Sequence, residues 1–397
     1  MAGAPEYTFQ WIEHISELPK DAWDAMAQSL KSPFFEWDWL QNMEQSGSAT
    51  AKAGWQPLHL TAWKGGELVA AAPLYLKGHS YGEFIFDHQW ADLASHLGIK
   101  YYPKLIGMSP FTPAVGYRFL IAPGEDEGEM TGRLVSVIDQ FCDRNGILAC
   151  NFLYVDPEWK PHLERCGFTS WTHHNSVWHS QAFQTYDDYL KLFNANQRRN
   201  IKREMKAIDN AGLHMTTFTG DQITPDLLMR MYGFYSHHCD KFGYWGSKYL
   251  TQAFFRRLHE TFRHRLLLVA AVREDEPLKP EGMSFCVYKG DRLYGRYWGS
   301  FREYDCLHFN ACYYKPIEWA IEQGIQVFDP GAGGSHKKRR GFPATAHYSL
   351  HRFYDPQFSA ILRNHLAQVN EMELEEIEAI NNELPFNKQA VVLKINA

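Results

Sequence analysis

The chain has 397 residues, more than one ordinary hydrophobic core accommodates, so two domains are expected. Hydrophobic residues make up 45% and charged residues 22% of the sequence, a balance that excludes a disordered or fibrous protein. The formal net charge of −6 excludes a general polyanion binder, although basic residues cluster locally, as at 337–340.

The sequence also limits the compartment and the metal chemistry. Its seven cysteines are scattered and form no Cys-x-x-Cys pair, which indicates reduced thiols. No export signal precedes the first predicted strand, and no run of about 18 apolar residues is present. Adjacent histidines at 173–174 and 237–238 lack the spacing of metal ligands. We therefore predict a cytoplasmic protein without a membrane span, a metal or a bound cofactor.

The first half begins with short strands joined by glycine-containing turns, which are typical of antiparallel hairpins. The pattern predicts strands at 58–63, 68–76 and 83–86, a helix at 134–145 ended by Gly146, a buried strand at 148–155, a further helix and Cys166-Gly167-Phe168.

Residues 185–212, between the two halves, are predicted to form a largely continuous amphipathic helix. Apolar side chains recur there at near-helical spacing. Arg199, Lys202, Arg203 and Lys206 follow the spacing i, i+3, i+4, i+7 and form one basic ridge. A solvated surface face is the alternative interpretation, but acidic residues are nearly absent from this face. We predict that Arg199, Lys202 and Arg203 contact phosphates of a ligand or of a nucleic acid.

The second half has a similar order of elements. Its pattern predicts strands at 266–272, 282–288 and 293–298, a helix at 311–323 ended by Gly324, a strand at 325–328 and Arg340-Gly341-Phe342. The two cap glycines lie 178 residues apart and the two Gly-Phe pairs 174 apart, which favours a duplicated unit. Hairpins followed by helix, strand, helix and a Gly-Phe strand resemble the acetyltransferase (GNAT) fold.

The segment after the strand at 325–328 combines glycines with cations at the C-terminal end of a strand, where α/β sheets place ligands. Gly331, Gly333 and Gly334 allow close backbone approach and can direct N–H groups at an anion. The ammonium and guanidinium groups at 337–340 can neutralise an oxyanion formed in acyl transfer. A flexible exposed loop is the alternative. We predict that the binding residues are Gly331, Gly333, Gly334, His336, Arg340 and, from the strand at 293–298, Arg296.

Several segments together resemble the FemAB-like branch of the Fem-type peptidoglycan aminoacyltransferases. They include Asn200-Ile-Lys-Arg203, Leu293-Tyr-Gly-Arg-Tyr-Trp-Gly-Ser300, Phe328-Asp-Pro-Gly-Ala-Gly-Gly334 and His336-Lys-Lys-Arg-Arg-Gly-Phe342. The resemblance covers about residues 30–355. It implies an α/β protein with mixed sheets, built from two tandem GNAT-like domains with a cleft between them. The boundaries that we predict are 1–180 and 181–360, followed by an acidic helical tail at 361–397.

The resemblance also implies acyl or aminoacyl transfer to an amine, which is a small molecule or a cell-wall precursor. In Fem enzymes a lysine late in the second domain stabilises the oxyanion, and Lys337 is the best match, with Lys338 as its rival. Asp329 is the predicted proton acceptor or loop-ordering residue. The long tRNA-gripping arm of Fem enzymes and the GNAT pyrophosphate signature are both missing, so aminoacyl-tRNA and acyl-CoA stay open as donors. Non-catalytic binding of a precursor or of RNA is the alternative function.

Overall fold

The computed structural model describes residues 7–243 and 246–387. The strands are β1 (Tyr7–Ile12), β2 (Trp55–Pro57), β3 (His59–Lys64), β4 (Glu67–Ala72), β5 (Tyr75–Lys77), β6 (Lys104–Gly107), β7 (Leu120–Ile121), β8 (Ala149–Phe152), β9 (Thr169–Ser176), β10 (Trp178–His179), β11 (His214–Thr219), β12 (Leu266–Val272), β13 (Gly282–Lys289), β14 (Arg292–Ser300), β15 (Val327–Asp329) and β16 (Ala344–Phe353). The α helices are α1 (Lys20–Ala27), α2 (Trp37–Gln45), α3 (His88–His96), α4 (Glu127–Arg144), α5 (Lys160–Arg165), α6 (Tyr186–Lys191), α7 (Ala195–Asn210), α8 (Pro225–Lys241), α9 (Gln252–Thr261), α10 (Leu307–Phe309), α11 (Lys315–Glu322) and α12 (Pro356–Asn382). Within this described part, no helix combines the length and the apolar character needed to cross a bilayer.

The chain divides into two compact units that are discontinuous in sequence. The first unit holds the chain up to His173 together with 347–374, and the second holds 174–346 together with the chain from Glu375 onwards. The sequence analysis instead placed contiguous domains at 1–180 and 181–360 and a tail from 361. The difference arises because Leu350 of β16 pairs with Phe152 of β8, which returns the end of β16 to the first unit.

The first unit contains a four-stranded antiparallel sheet in the order β1-β3-β4-β7 and a six-stranded sheet in the order β2-β5-β6-β8-β16-β9. In the second sheet β6 runs parallel to β8, with Leu105 opposite Cys150, and β8 runs antiparallel to β16. Mixed strand directions within one sheet confirm the predicted α/β class with mixed sheets.

The second unit has one six-stranded sheet in the order β10-β15-β14-β13-β12-β11. Only β14 and β15 run parallel among these described strands, with Tyr294 opposite Asp329. Leu267 and Val269 of β12 and Phe328 of β15 pack in one apolar core with Ile201 of α7 and Ile317 of α11. This core holds the C-terminal end of β15 in a fixed position.

The predicted second-half strands and both helix-ending glycines are confirmed. Gly146 and Gly324 adopt φ of 61° and 71°, the left-handed conformation that favours glycine at a helix end. The predicted helix at 311–323 is present from Lys315, but 310–314 form one π-helical turn instead. The predicted helix at 185–212 is interrupted at 192–194, where the Asn194 side chain caps α7 by accepting a hydrogen bond from Gln197 N.

The predicted third strand at 83–86 is wrong, because this segment is irregular. Phe84 adopts φ of 58°, which a strand does not accommodate. The Glu83 carboxylate is buried and accepts a hydrogen bond from Lys104 Nζ at 2.8 Å. Lys104 also donates to Asp87, and Lys77 Nζ lies 3.9 Å from Glu83. Pairing of these buried charges, rather than a strand ladder, therefore holds the segment.

Candidate functional site

A β bulge in β14 marks the centre of the site. Phe285 lies opposite Tyr297 and Cys286 opposite Gly295, so Arg296 is an extra residue in β14. Bulges redirect side chains and are common beside active sites. The Arg296 side chain is only 2% exposed, and Nη2 lies 3.4 Å from Asp329 Oδ2 at the end of β15.

The loop after β15 passes directly over the bulge. β15 ends at Asp329, whereas β14 continues to Ser300. A Cβ added to Gly295 would lie 3.3 Å from Pro330 Cα, and one added to Gly331 would lie 3.1 Å from Gly295 O. Gly331 also has φ of 96°, which a side chain would strain. Gly331 is therefore required by its backbone conformation, and Gly295 lets the loop approach β14 without displacement.

A cavity of about 620 Å³ opens between this loop, the bulge and the helices of the second unit. Its lining consists of His238, Phe242, Ser284, Cys286, Gly295, Arg296, Tyr297, Trp298, His308, Cys312, Tyr313, Pro330, Gly331, Ala332, Gly333, Gly334 and His336. Its size is that of pockets that enclose small ligands. The three predicted loop glycines, His336 and Arg296 are thus brought together in one cavity wall.

Lys337 lies behind the glycine loop, at 2% exposure. Its Nζ donates hydrogen bonds to Gly331 O and, at 3.3 Å, to Asn175 Oδ1. Asn175 Nδ2 donates in turn to Asp329 Oδ1 at 3.2 Å, and Gly331 N donates to the same oxygen at 2.8 Å. Lys337 and Asp329, two predicted catalytic residues, therefore belong to one buried hydrogen-bonded cluster.

Burial lowers the pKa of Lys337 to about 8, since removal from water disfavours the ammonium form. The Asp329 carboxylate opposes this shift, and the Arg296 guanidinium adds to it. At neutral pH the side chain is therefore largely charged, but it releases its proton more readily than an ordinary lysine. A lysine with such a pKa beside a cavity is typical of functional sites.

The structure separates Lys338 and Arg340 from the cavity. The Lys338 ammonium pairs with Glu383, so this rival of Lys337 is directed away from the cavity. Arg340 is 3% exposed, and its Nη2 donates to Glu204 Oε2 at 2.7 Å. Its guanidinium also lies 3.4 Å from the centre of the Phe309 ring. Arg340 thus anchors the short helical turn Ser335–Arg340 to α7 rather than lining the cavity.

The basic ridge of α7 lies outside the cavity. Arg199, Lys202 and Arg203 are exposed, and none of them lines the cavity described above. Glu204, on the opposite face, points inward to Arg340. The loop and the helix are also joined where Gln197 Nε2 donates to Arg339 O at 2.7 Å. The helix that carries the ridge is therefore attached to the turn that follows the glycine loop. The contact of the ridge with phosphates stays a prediction.

Several cavity residues were not singled out from the sequence as binding residues. His308 comes from α10, Cys312 from the π-helical turn and His238 from α8. The sequence alone assigned no binding role to His238. Burial, together with neighbouring cations and histidines, lowers the pKa of His308 to about 3. Burial raises the pKa of Cys312, so its thiol stays protonated. The π-helical turn that contributes Cys312 to the cavity lining has no recognisable pattern in the sequence.

Comparisons with known proteins agree with this architecture. The family model FemAB-like, described as peptidoglycan biosynthesis/recognition, matches residues 14–388, which confirms the resemblance noted in the sequence. No curated protein matches the chain in sequence.

Three solved structures are similar to this chain at low identity, and the first two, with TM-scores above 0.5, show the same fold. The crystal structure of FemX is 11% identical, with 89% of this chain and 100% of that chain covered and a TM-score of 0.51. The C-terminal domain of a protein assigned as a lysylphosphatidylglycerol synthetase from Agrobacterium fabrum is 9% identical, with coverages of 87% and 95% and a TM-score of 0.51. A tandem GNAT protein from the clavulanic acid biosynthesis pathway is 11% identical, with coverages of 88% and 99% and a TM-score of 0.42.

Proposed function

The chain belongs to the FemAB-like family of peptidoglycan biosynthesis and recognition, and from this premise we propose that it transfers an acyl or aminoacyl group to the amine of a cell-wall precursor. The observation that carries the proposal is the buried cluster of Lys337, Asn175 and Asp329 behind a glycine loop that walls a cavity. This arrangement places a positive charge, itself 2% exposed, beside the cavity, and burial strengthens its effect on a developing oxyanion.

The proposed reaction is a direct transfer. The acceptor amine attacks the carbonyl carbon of the donor, and a carbon–nitrogen bond forms while the carbonyl oxygen becomes an oxyanion. The Lys337 ammonium stabilises this oxyanion, either directly or through the loop that it holds. Collapse of the intermediate breaks the carbon–oxygen bond of an ester donor or the carbon–sulfur bond of a thioester, and the leaving oxygen or sulfur takes up the proton released by the attacking amine.

The proton of the amine needs an acceptor on the cavity wall. We propose His336, because burial and the nearby Arg340 and Lys337 lower its pKa and keep the imidazole neutral at pH 7. Its Nε2 is held at 2.9 Å from the Tyr313 hydroxyl oxygen. Asp329 accepts hydrogen bonds from the loop and pairs with Arg296, so we assign it the role of ordering the loop.

The donor is an aminoacyl-tRNA or an acyl-CoA in this proposal. Both donors carry phosphates, which fit the N–H groups of the loop at 331–334 and the cations Arg199, Lys202 and Arg203 outside the cavity. Direct transfer needs no metal. The cavity histidines His238, His308 and His336 do not form a three-ligand cluster among residues 7–243 and 246–387.

The test is a transfer assay with a UDP-linked peptidoglycan precursor as acceptor and either aminoacyl-tRNA or acyl-CoA as donor, followed by mass spectrometry. We expect acylated precursor with one donor class. Lys337→Met should lower kcat/KM by about 100-fold or more, the typical cost of losing one oxyanion-stabilising group. Lys279→Met, at an exposed lysine between β12 and β13, is the matched control and should be neutral. No product with either donor, or equal loss in both variants, would contradict the proposal.

Recognition without catalysis is the second candidate function. The hydrogen bond from Lys337 to the Gly331 carbonyl favours it, because this ammonium already has a partner in the wall. A precursor that binds only the folded protein raises its melting temperature. A shift that persists in Lys337→Met, without any product, would support recognition.

A further inference from the structure

One side of the cavity is a continuous surface of aromatic rings, which we call the ring wall. Ring centres lie 5.2 Å apart for His238 and Phe242, 5.4 Å for His238 and Trp298, and 4.7 Å for Trp298 and His308. The surface continues from His308 to Tyr313 at 5.5 Å and to His336 at 5.4 Å. All six rings line the cavity, so a ligand that enters it meets this surface.

The ring wall is uncharged at neutral pH. Burial is the largest cause that lowers the pKa of each of its three histidines, His238, His308 and His336. Lys337 and Arg340 lower the pKa of both His308 and His336 further, so the positive charge of these two cations acts on this part of the ring wall. Rings alone attract cations, but here a positively charged ligand group would be repelled by these neighbours. The wall therefore favours apolar groups without charge.

A second part of the cavity lining has a different character. Gly331, Gly333 and Gly334 supply backbone, and Arg296 supplies a nearly buried guanidinium next to Asp329. A ligand with one polar or anionic end and one apolar end fits both parts at once. Phe242, at the end of the ring wall, is 57% exposed, so much of its ring is available to contact such a ligand.

We propose that the ring wall is the subsite for a bulky, uncharged, apolar acyl group of the donor, an assignment that rests on the acyl transfer proposed above. The carbonyl end of the acyl group lies towards the glycine loop and Lys337. Its apolar body lies along Trp298, His308 and Phe242. Small acyl groups fill this surface poorly, and cationic acyl groups meet the positive charge of Lys337 and Arg340.

The inference is tested by titration calorimetry with four carboxylates that have no donor chemistry: propanoate, 3-phenylpropanoate, hexanoate and 6-aminohexanoate. The 3-phenylpropanoate ion should bind about tenfold tighter than propanoate or more, because it places a ring on the wall. The 6-aminohexanoate zwitterion should bind more weakly than hexanoate, since it adds a cation at similar length. Equal binding of propanoate and 3-phenylpropanoate, no binding of any probe, or tighter binding of 6-aminohexanoate would overturn the inference.

Two exposed phenylalanines of the second unit provide matched variants. Phe242→Ala should weaken 3-phenylpropanoate binding about fivefold and leave propanoate unchanged, as expected for partial loss of apolar contact. Phe301→Ala is the control, because Phe301 is 49% exposed but lies outside the cavity lining. Equal effects of the two variants would also overturn the inference. If the carboxylates behave as expected while the transfer assay yields no product, the apolar subsite stands and the proposed transfer fails.

Discussion

Among the described strands, β6 and β8 run parallel in the first unit and β14 and β15 in the second, and the two pairs have different surroundings. In the first unit, β6 and β8 end at Gly107 and Phe152, and Tyr117 stacks on Phe152 with ring centres 5.5 Å apart. The Tyr117 hydroxyl donates to Pro73 O at 3.1 Å, and this side chain is fully buried. In the second unit, the pairing of β14 with β15 stops at Tyr294 and Asp329, next to the glycine loop and the cavity.

The difference shows that the neighbouring side chains, rather than the parallel pairing, decide whether space for a ligand remains where a strand pair ends. A Cβ on Gly107 would lie 2.3 Å from the Tyr117 ring and hydroxyl, so that glycine accommodates packing. Gly295 and Gly331 instead let a backbone loop approach a strand, and space remains beyond it. We therefore assign the chemistry to the second unit and a structural role to the corresponding end in the first.

Two buried lysines, Lys104 of the first unit and Lys337 of the second, differ in charge pairing, and burial also lowers the pKa of Lys77 in the first unit, to about 7. In the first unit, Lys104 is held between Glu83 and Asp87, and all three side chains are at most 3% exposed. These pairs raise the pKa of Lys104 despite its burial. In the second unit, burial lowers the pKa of Lys337, the Asp329 carboxylate opposes this shift only in part, and the Arg296 guanidinium adds to it. A lysine with a low pKa beside a cavity can take part in chemistry, whereas a fully paired lysine holds a loop.

The largest expected effect comes from truncating one ring in each unit. Tyr117→Ala should lower the free energy of unfolding by about 3–5 kcal/mol, because it removes a fully buried ring from a packed core. Phe242→Ala should change it by less than about 0.5 kcal/mol, because that ring is mostly exposed. Urea unfolding followed by circular dichroism measures both. Similar losses in the two variants would contradict the contrast between a filled end and an open end.

A second prediction concerns the pH dependence of transfer. The Lys337 pKa of about 8 means that the ammonium form dominates below pH 8 and is lost above it. Since the charged form is the one that stabilises an oxyanion, kcat/KM should fall by about tenfold per pH unit above that value. The Lys337→Arg variant should be slower but flat over this range, because guanidinium stays charged. A falling limb that persists in Lys337→Arg would assign the titration to another group.

Periodicity and glycine placement predicted the strands β12 to β15 and the helix α11 of the second unit, whereas β11, α8 and α9 were not predicted. The predicted strands follow runs of apolar residues, and Gly324 ends a helix because it can adopt positive φ. The position of the glycine loop after β15 was also predictable, because the strand and the loop are adjacent in sequence. Local rules succeed where the determining contacts are local.

The remaining features depend on contacts between distant residues. Asn175 joins Lys337 and Asp329, but a lone asparagine in a strand carries no sequence signal. Residue type and spacing do not separate Lys337 from Lys338, although the family resemblance favours Lys337; the helical turn Ser335–Arg340 places Lys337 inside and Lys338 against Glu383. Residues 83–86 read as a strand because Phe84, Ile85 and Phe86 suit one, whereas the Lys104 ion pair decides their conformation.

The smallest expected effect concerns the exposed ridge of α7, and it sharpens the assignment of the donor. The cavity, which is the proposed acyl site, includes none of the ridge cations, so any contact of donor phosphates with Arg199, Lys202 and Arg203 lies outside it. If the donor is a tRNA, each phosphate contact adds about 0.9 to the slope of log affinity against log salt concentration. Each single change to Gln should therefore reduce the slope by about that amount.

The control for the ridge is Lys191→Gln. This exposed lysine on α6 pairs with Asp188 at 2.8 Å and lies off the ridge, so its removal should leave the slope unchanged. Filter binding of tRNA across a salt series measures all four variants. If the ridge variants keep the salt slope of tRNA binding and still transfer from acyl-CoA at the rate of the unchanged protein, the ridge does not bind a polynucleotide. The glycine loop alone would then hold the donor phosphates, and the loop and the cavity together would form the complete donor site.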